Sequence, residues 1–194
     1  VMADVLAPLR PFFEKHKPLV VSMAAGITVE KIDALIGTSL PIIRIMPNTP
    51  VSAGLGVIVY CTENVEAQRE AEFLSLLRCA GLVEKIAEDK IDAASALHGC
   101  GPAFVYLYIE ALADGAVACG LSRDQAIRFA AATVQGAAKM VLESGKHPGE
   151  LKDAVCSPGG TTIAGVKALE DGGMRAAAIN AVVSAYKRTL ELGK

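Results

Sequence analysis

The sequence predicts two unlike halves, an α/β half up to about residue 88 and an all-helical half after it. Short β-rich runs, PLVVSMA (18–24), PIIRIM (41–46) and GVIVYC (56–61), alternate with helical patterns at 27–37 and 65–81 in the first half. From Asp89 onward no strand pattern recurs, and apolar residues fall at helical spacing. A chain of 194 residues that is 52% hydrophobic, with mean hydropathy +0.40, can bury one or two sizeable cores.

Each element follows from its residues. The opening VMADVLAPLRPFFEKH reads as an amphipathic helix already under way, and LVEKIA (82–87) as a last strand. Gly101-Pro102 starts a helix whose apolar face is Phe104, Leu107, Tyr108, Ala111 and Leu112, because proline's missing N–H costs little in a first turn. A second helix runs from about Arg123 to Ser144, with Ala126, Phe129, Ala130, Thr133, Ala137, Met140 and Val141 on one face. A third, from about Met174 to Leu192, carries Ile179, Val182, Val183, Tyr186 and Leu190, while Gly120 and Gly145 fit as helix stops. These faces hold more apolar surface than so short a helical half can hide. A partner chain is one answer, and an alanine-rich monomeric bundle is the other.

Charge and cysteine usage narrow the function classes. Lys plus Arg minus Asp plus Glu is 19 − 21 = −2 and the pI is near 6.0, so the basic surface that nucleic acid or an anionic membrane requires is missing. Five cysteines, odd in number and without CxxC spacing, argue against a disulfide framework or zinc site and suit a reducing cytoplasm. No apolar run approaches the roughly 18 residues of a membrane span, and the start lacks signal-peptide architecture.

Three loops are candidate sites. In VCSPGGTTI (155–163) two glycines and several hydroxyls precede a helix, which suits a carboxylate or phosphate on free N–H groups; equally, Thr161 or Thr162 is simply an N-cap. RIMPNTP (44–50) ends a β-rich run, where open α/β sheets bind ligands, but two prolines also make a rigid turn. SMAAG (22–26) lets a flat ring approach the backbone, or else packs a strand closely on a helix.

Together SMAAGIT (22–28), RIMPNTP (44–50), the GxGPAF run at 99–104, EALADGAVACGL (110–121), HPGELKDAVCSPGGTTIAGVKALEDGG (147–173) and the closing AYKRTLELG resemble the Δ1-pyrroline-5-carboxylate reductase family along essentially the whole chain. The resemblance implies a Rossmann-type cofactor domain, here residues 1–88, and an all-helical dimerisation and substrate-binding domain, here 89–194, with the active site between the two. It implies a homodimer or higher oligomer in the cytoplasm, NADPH or NADH as cofactor, no metal, and reduction of 1-pyrroline-5-carboxylate to L-proline, the last step of proline biosynthesis. Carried onto this sequence, Met23, Ala24, Ala25 and Asn48 are cofactor-binding, and Glu88, Ser157, Gly160, Thr161 and Thr162 are substrate-binding. Thr162 lies near the imine nitrogen as the catalytic hydroxyl. Hydride transfer needs two aligned rings and a hydrogen bond to that nitrogen, with no nucleophile.

His98 and Cys100 stand where the family usually has small hydroxyl residues, and Ala154 where some relatives carry a polar one. His16 and His147 read as structural. A GxGxxG after a first strand is missing, so the chain reads as the C-terminal portion of such a reductase, lacking the first part of the Rossmann domain; two absent β–α units amount to roughly 60 residues or more. The alternative is a truncated, catalytically impaired homodimer that keeps the carboxylate loop but cannot hold the dinucleotide.

Overall fold

The structure, a computed structural model, describes residues 2–192 and divides into two units. The first spans the residues up to Pro102 together with those from Val182 on, and the second is Ala103–Ala181.

The first unit is built on four strands, β1 (Val20–Ser22), β2 (Ile42–Pro47), β3 (Gly56–Glu63) and β4 (Gly81–Lys85), lying side by side in sequence order. The opening residues form two short helices, α1 (Met2–Leu6) and α2 (Arg10–His16), rather than one. A 3-10 turn at Ala7–Leu9 separates them, because Pro8 and Pro11 each remove an N–H from a continuous ladder. Helix α3 (Val29–Ile36) links β1 to its parallel neighbour β2, and the Thr28 hydroxyl caps it by accepting from the Lys31 N–H at 3.2 Å. Between β2 and β3 there is no crossover helix. A 3-10 turn at Thr49–Ala53, entered through Pro47 and Pro50, reverses the chain, so β2 and β3 are antiparallel and the sheet is mixed. Helix α4 (Ala67–Leu76) then returns the chain to β4, parallel to β3. It stops five residues short of the expected end because Gly81 must already be in the sheet. With φ at +118° and only 2.2 Å between an added Cβ and the Gly56 carbonyl oxygen, that position admits glycine alone.

Strand alternation distributes the core over two faces. Ile42 and Met46 of β2 join Phe13, Val29, Ile32, Ile36, Leu40, Val59, Cys61 and Ile91 on one, while Ile43 and Ile45 join Ile58, Tyr60 and Phe73 on the other. Ile91 belongs to α5 (Glu88–His98), so this helix packs with the sheet. By the same alternation Arg44, between Ile42 and Met46, is carried onto the α5 face and is 1% exposed.

The second unit holds most of α6 (Gly101–Ala118), all of α7 (Arg123–Ser144), α8 (Pro148–Ala154) and α9 (Thr161–Asp171), and the start of α10 (Met174–Leu192). Gly120 and Gly145 sit at positive φ past the ends of α6 and α7. Ser122 caps α7 by accepting from the Gln125 N–H, and His147 caps α8 by accepting from the Gly149 N–H. The only fully covered side chains described in this unit are Ala113, Ala126 and Ala130, joined by Ile109, Leu112, Ala116 and Val117. The face of α6 that meets α7 therefore keeps Leu112 from the expected stripe of Phe104, Leu107, Tyr108, Ala111 and Leu112, but otherwise runs through Ile109, Ala113, Ala116 and Val117. Leu107 is 67% exposed, as is much of α7's and α10's apolar surface, Phe129 and Ile179 included.

Candidate active site

Strand β1 lies beside the first half of β2, since its last residue, Ser22, is paired with Arg44 while β2 runs on to Pro47. Beyond Ser22 the chain turns at once. The Ser22 hydroxyl accepts from the Ala24 N–H at 3.3 Å, and Gly26 takes a positive φ of 71°. On this turn Met23 and Ala25 are exposed and Ala24 is half-buried, so a thioether and a methyl group face outward where a planar ring could rest. Asn48, beyond β2, is more heavily engaged: its Oδ1 accepts from the Val57 N–H at 2.9 Å and its Nδ2 donates to the His98 carbonyl at 3.0 Å. One Nδ2 hydrogen remains for a ligand, while the backbone carbonyl accepts from the Val51 N–H at 3.3 Å.

Glu88 opens α5 and its carboxylate turns inward. Oε1 accepts from the Val29 N–H at 2.7 Å, at the N-terminal end of α3, and from Arg44 Nη1 at 3.3 Å. Asp92, one helical turn on, takes Arg44 Nη2 at 2.6 Å. The guanidinium thus ties β2 to α5, and Glu88 ties α5 to α3; the Arg44 Nε is the one buried side-chain polar atom described that lacks a partner. Glu88 was expected at a substrate; the geometry shows what its carboxylate holds inside the protein. Burial pushes the nearby Cys61 thiol up, and the charge of Glu88 adds to this. Neither the burial of Arg44 nor the part played by Asp92 was anticipated from the sequence. Their signals were a lone charge inside an apolar strand and two carboxylates spaced i, i+4.

The loop 157–162 has a definite shape. Ser157-Pro158-Gly159-Gly160 is a turn closed by the Gly160 N–H on the Ser157 carbonyl at 3.0 Å, with proline at its second position and Gly159 at φ +66° at its third. An added Cβ at Gly160 would stand 2.3 Å from the Ser157 hydroxyl oxygen. Gly160 is itself the N-cap of α9, with no side-chain cap, so Thr161 and Thr162 are the first two residues of the helix. The N-cap alternative for these threonines is thereby corrected: the Pro–Gly turn brings the chain to the helix one residue before the hydroxyls. Both threonines are exposed, and neither hydroxyl has a partner among the described residues. A helix N-terminus open to water, with hydroxyls on its first turn, can hold a carboxylate on N–H groups and leave a hydroxyl for a second contact. His147 is accounted for as the cap of α8, and the ring of His16 lies 4.6 Å from that of Phe12.

A mixed sheet with small residues where β1 ends, and a helical unit with an uncapped Thr-Thr helix start, fit a nicotinamide-dependent oxidoreductase. Residues 88–192 match the family model described as pyrroline-5-carboxylate reductase dimerisation. The chain is 49% identical to the pyrroline-5-carboxylate reductase of Pisum sativum, with 99% of this chain and 70% of the pea protein covered. It is 46% identical to that of Escherichia coli, with 100% and 72% covered. Among solved structures it resembles Plasmodium falciparum pyrroline carboxylate reductase with NADP bound, at TM-score 0.91 and 33% identity over 99% of this chain and 77% of that one. The Coxiella burnetii enzyme superposes with TM-score 0.88 at 36% identity, covering 100% and 72%. The chain belongs to the pyrroline-5-carboxylate reductase family.

Proposed function

We propose that this chain takes part in the reduction of 1-pyrroline-5-carboxylate to L-proline, as a homodimer using NADPH or NADH. The observation that carries this reading is the uncapped start of α9, where exposed hydroxyls share the first turn with free N–H groups. In this reading residues 1–88 are the C-terminal part of the dinucleotide-binding domain and 89–194 the dimerisation and substrate-binding domain.

Met23, Ala24 and Ala25 fit the nicotinamide end of the cofactor, because the turn they form offers an outward, largely methyl-bearing surface at a strand end. Asn48 contributes through its one uncommitted carboxamide hydrogen. When bound, the cofactor supplies a hydride to the imine carbon. The chain's own residues orient the acceptor. N–H groups at Thr161 and Thr162, with the Ser157 hydroxyl beside Gly160, hold the carboxylate; the Thr162 hydroxyl donates to the ring nitrogen as electron density builds there. Glu88 supports the cofactor side of the site from within, through Arg44 and the N-terminus of α3.

The test is imine-dependent oxidation of NADPH, followed by absorbance, with L-proline identified as product by chromatography. Equimolar NADPH loss and proline formation is the expected result. NADPH loss without proline, or proline formation unaffected by omitting the nicotinamide, would overturn the reading.

A further inference from the structure

His98 is the last residue of α5 and is half-buried. Its ring Nδ1 lies 2.6 Å from the Ala94 carbonyl, one turn back on its own helix, and Nε2 lies 2.8 Å from the Met46 carbonyl near the end of β2. Its own carbonyl receives the Asn48 carboxamide at 3.0 Å, and that carboxamide in turn accepts from Val57 of β3 at 2.9 Å. The turn leaving β2 is therefore gripped on both sides by one residue: the ring holds Met46 before Pro47, and the backbone carbonyl holds Asn48 after it. Pro47 and Pro50 carry no N–H, so the turn has fewer backbone donors of its own with which to fix its place. A carbonyl oxygen only accepts, so each ring contact is a hydrogen bond when its nitrogen carries hydrogen, and the doubly protonated ring makes both at once. A small hydroxyl side chain, the kind the family resemblance leads one to expect here, ends one bond beyond Cβ and is too short for this span.

We propose that His98 is a positioning residue for the cofactor side of the site: by bridging α5 to the Met46 carbonyl it fixes the β2 end and the orientation of Asn48. The proposal rests on the reading of Asn48 as cofactor-facing. It makes cofactor affinity depend on His98 more than capture of the imine does, since the loop 157–162 belongs to the other unit and takes its shape from its own turn.

The experiment compares the full chain with His98→Ala and His98→Gln. In His98→Ala the side-chain NH2 resonances of Asn48 should shift in 1H–15N NMR and exchange with water faster. The KM for NADPH should rise about tenfold while kcat and the KM for the imine stay within about twofold. His98→Gln, whose amide can donate over a similar reach, should restore most of the NADPH KM. Unchanged Asn48 resonances in His98→Ala would overturn the proposal, as would a loss of melting temperature with kcat and both KM values affected alike and no rescue by Gln. If the unsubstituted protein fails to reduce the imine, the functional reading falls, and the Asn48 resonances still decide whether His98 positions that side chain.

Discussion

Replacing Arg44 by Met probes the polar centre on which β2, α3 and α5 converge. The guanidinium is 1% exposed and bonds two carboxylates, Glu88 at 3.3 Å and Asp92 at 2.6 Å, whose side chains are 33% and 20% exposed. Removing one member of a buried ion cluster costs about 3–5 kcal/mol because the remaining charges lose their partner. Here water reaches both carboxylates, so the lower end, about 3 kcal/mol, applies. At about 2–4 °C per kcal/mol for a chain of this size, Arg44→Met should lower Tm by about 6–12 °C. Adding Glu88→Gln and Asp92→Asn should return part of the loss, since no charge is then stranded and the amide oxygen introduced by Glu88→Gln can still accept from the Val29 N–H. Calorimetry on the single and triple variants reads this directly. Arg44→Met melting within about 2 °C of the parent, or a triple variant less stable than the single, would show that the guanidinium does not hold this centre together.

The sheet also carries a pH signature. Lys85 and the Tyr60 hydroxyl hold the Glu70 carboxyl below its usual value of 4.5, so their stabilisation is complete above about that pH and is lost as pH falls through the lowered folded value; Glu70→Gln should flatten the acid limb of a Tm-against-pH curve. Burial, with Glu70 beside it, pushes Tyr60 up to about 12, so its contribution is complete below pH 10 and lost as pH rises from there; absorbance titration should show one tyrosine ionising late, and Tyr60→Phe should remove that step. Gly159→Ala forces a side chain to φ +66° and should cost about 1 kcal/mol or more while raising the KM for the imine, measured by melting and steady-state kinetics. Ile179, 63% exposed within the chain, should lie in the homodimer contact, so Ile179→Lys should sediment as a monomer at concentrations where the parent is a dimer.

Much of the fold was legible because its signals are local. Gly101-Pro102, Ser122 with Gly145, and the apolar spacing of 174–192 marked α6, α7 and α10 closely. What escaped depends on tertiary geometry. The reversal at Thr49–Ala53 makes the sheet mixed, but its Pro-Asn-Thr-Pro sequence indicates only a turn, not the direction of the strand beyond it. The side of α6 that packs on α7 is set by small residues such as Ala113 meeting Ala126 and Ala130, whereas a hydrophobicity pattern favours the larger Phe104 and Leu107, of which Phe104 is half-buried and Leu107 is left exposed. Site residues were legible as motifs, not as contacts. Nothing in SPGGTT says that Gly160, one residue before the hydroxyls, becomes the cap. Nor does sequence spacing reveal that Glu88 reaches Arg44, 44 residues away, or that the His98 ring meets the Met46 carbonyl.

In the proposed function the Thr162 hydroxyl, free because Gly160 caps α9, serves the reaction rather than the fold. Steady-state kinetics beside melting curves for Thr162→Val, Thr162→Ser and Thr162→Asn test it most directly. Thr162→Val should lower kcat/KM by about 10- to 1,000-fold with Tm nearly unchanged, while Thr162→Ser stays close to the parent. Asn should not restore activity, because capping strength is irrelevant at a position already inside the helix. A Val variant as active as the parent, or activity that follows melting temperature across the three, would contradict it.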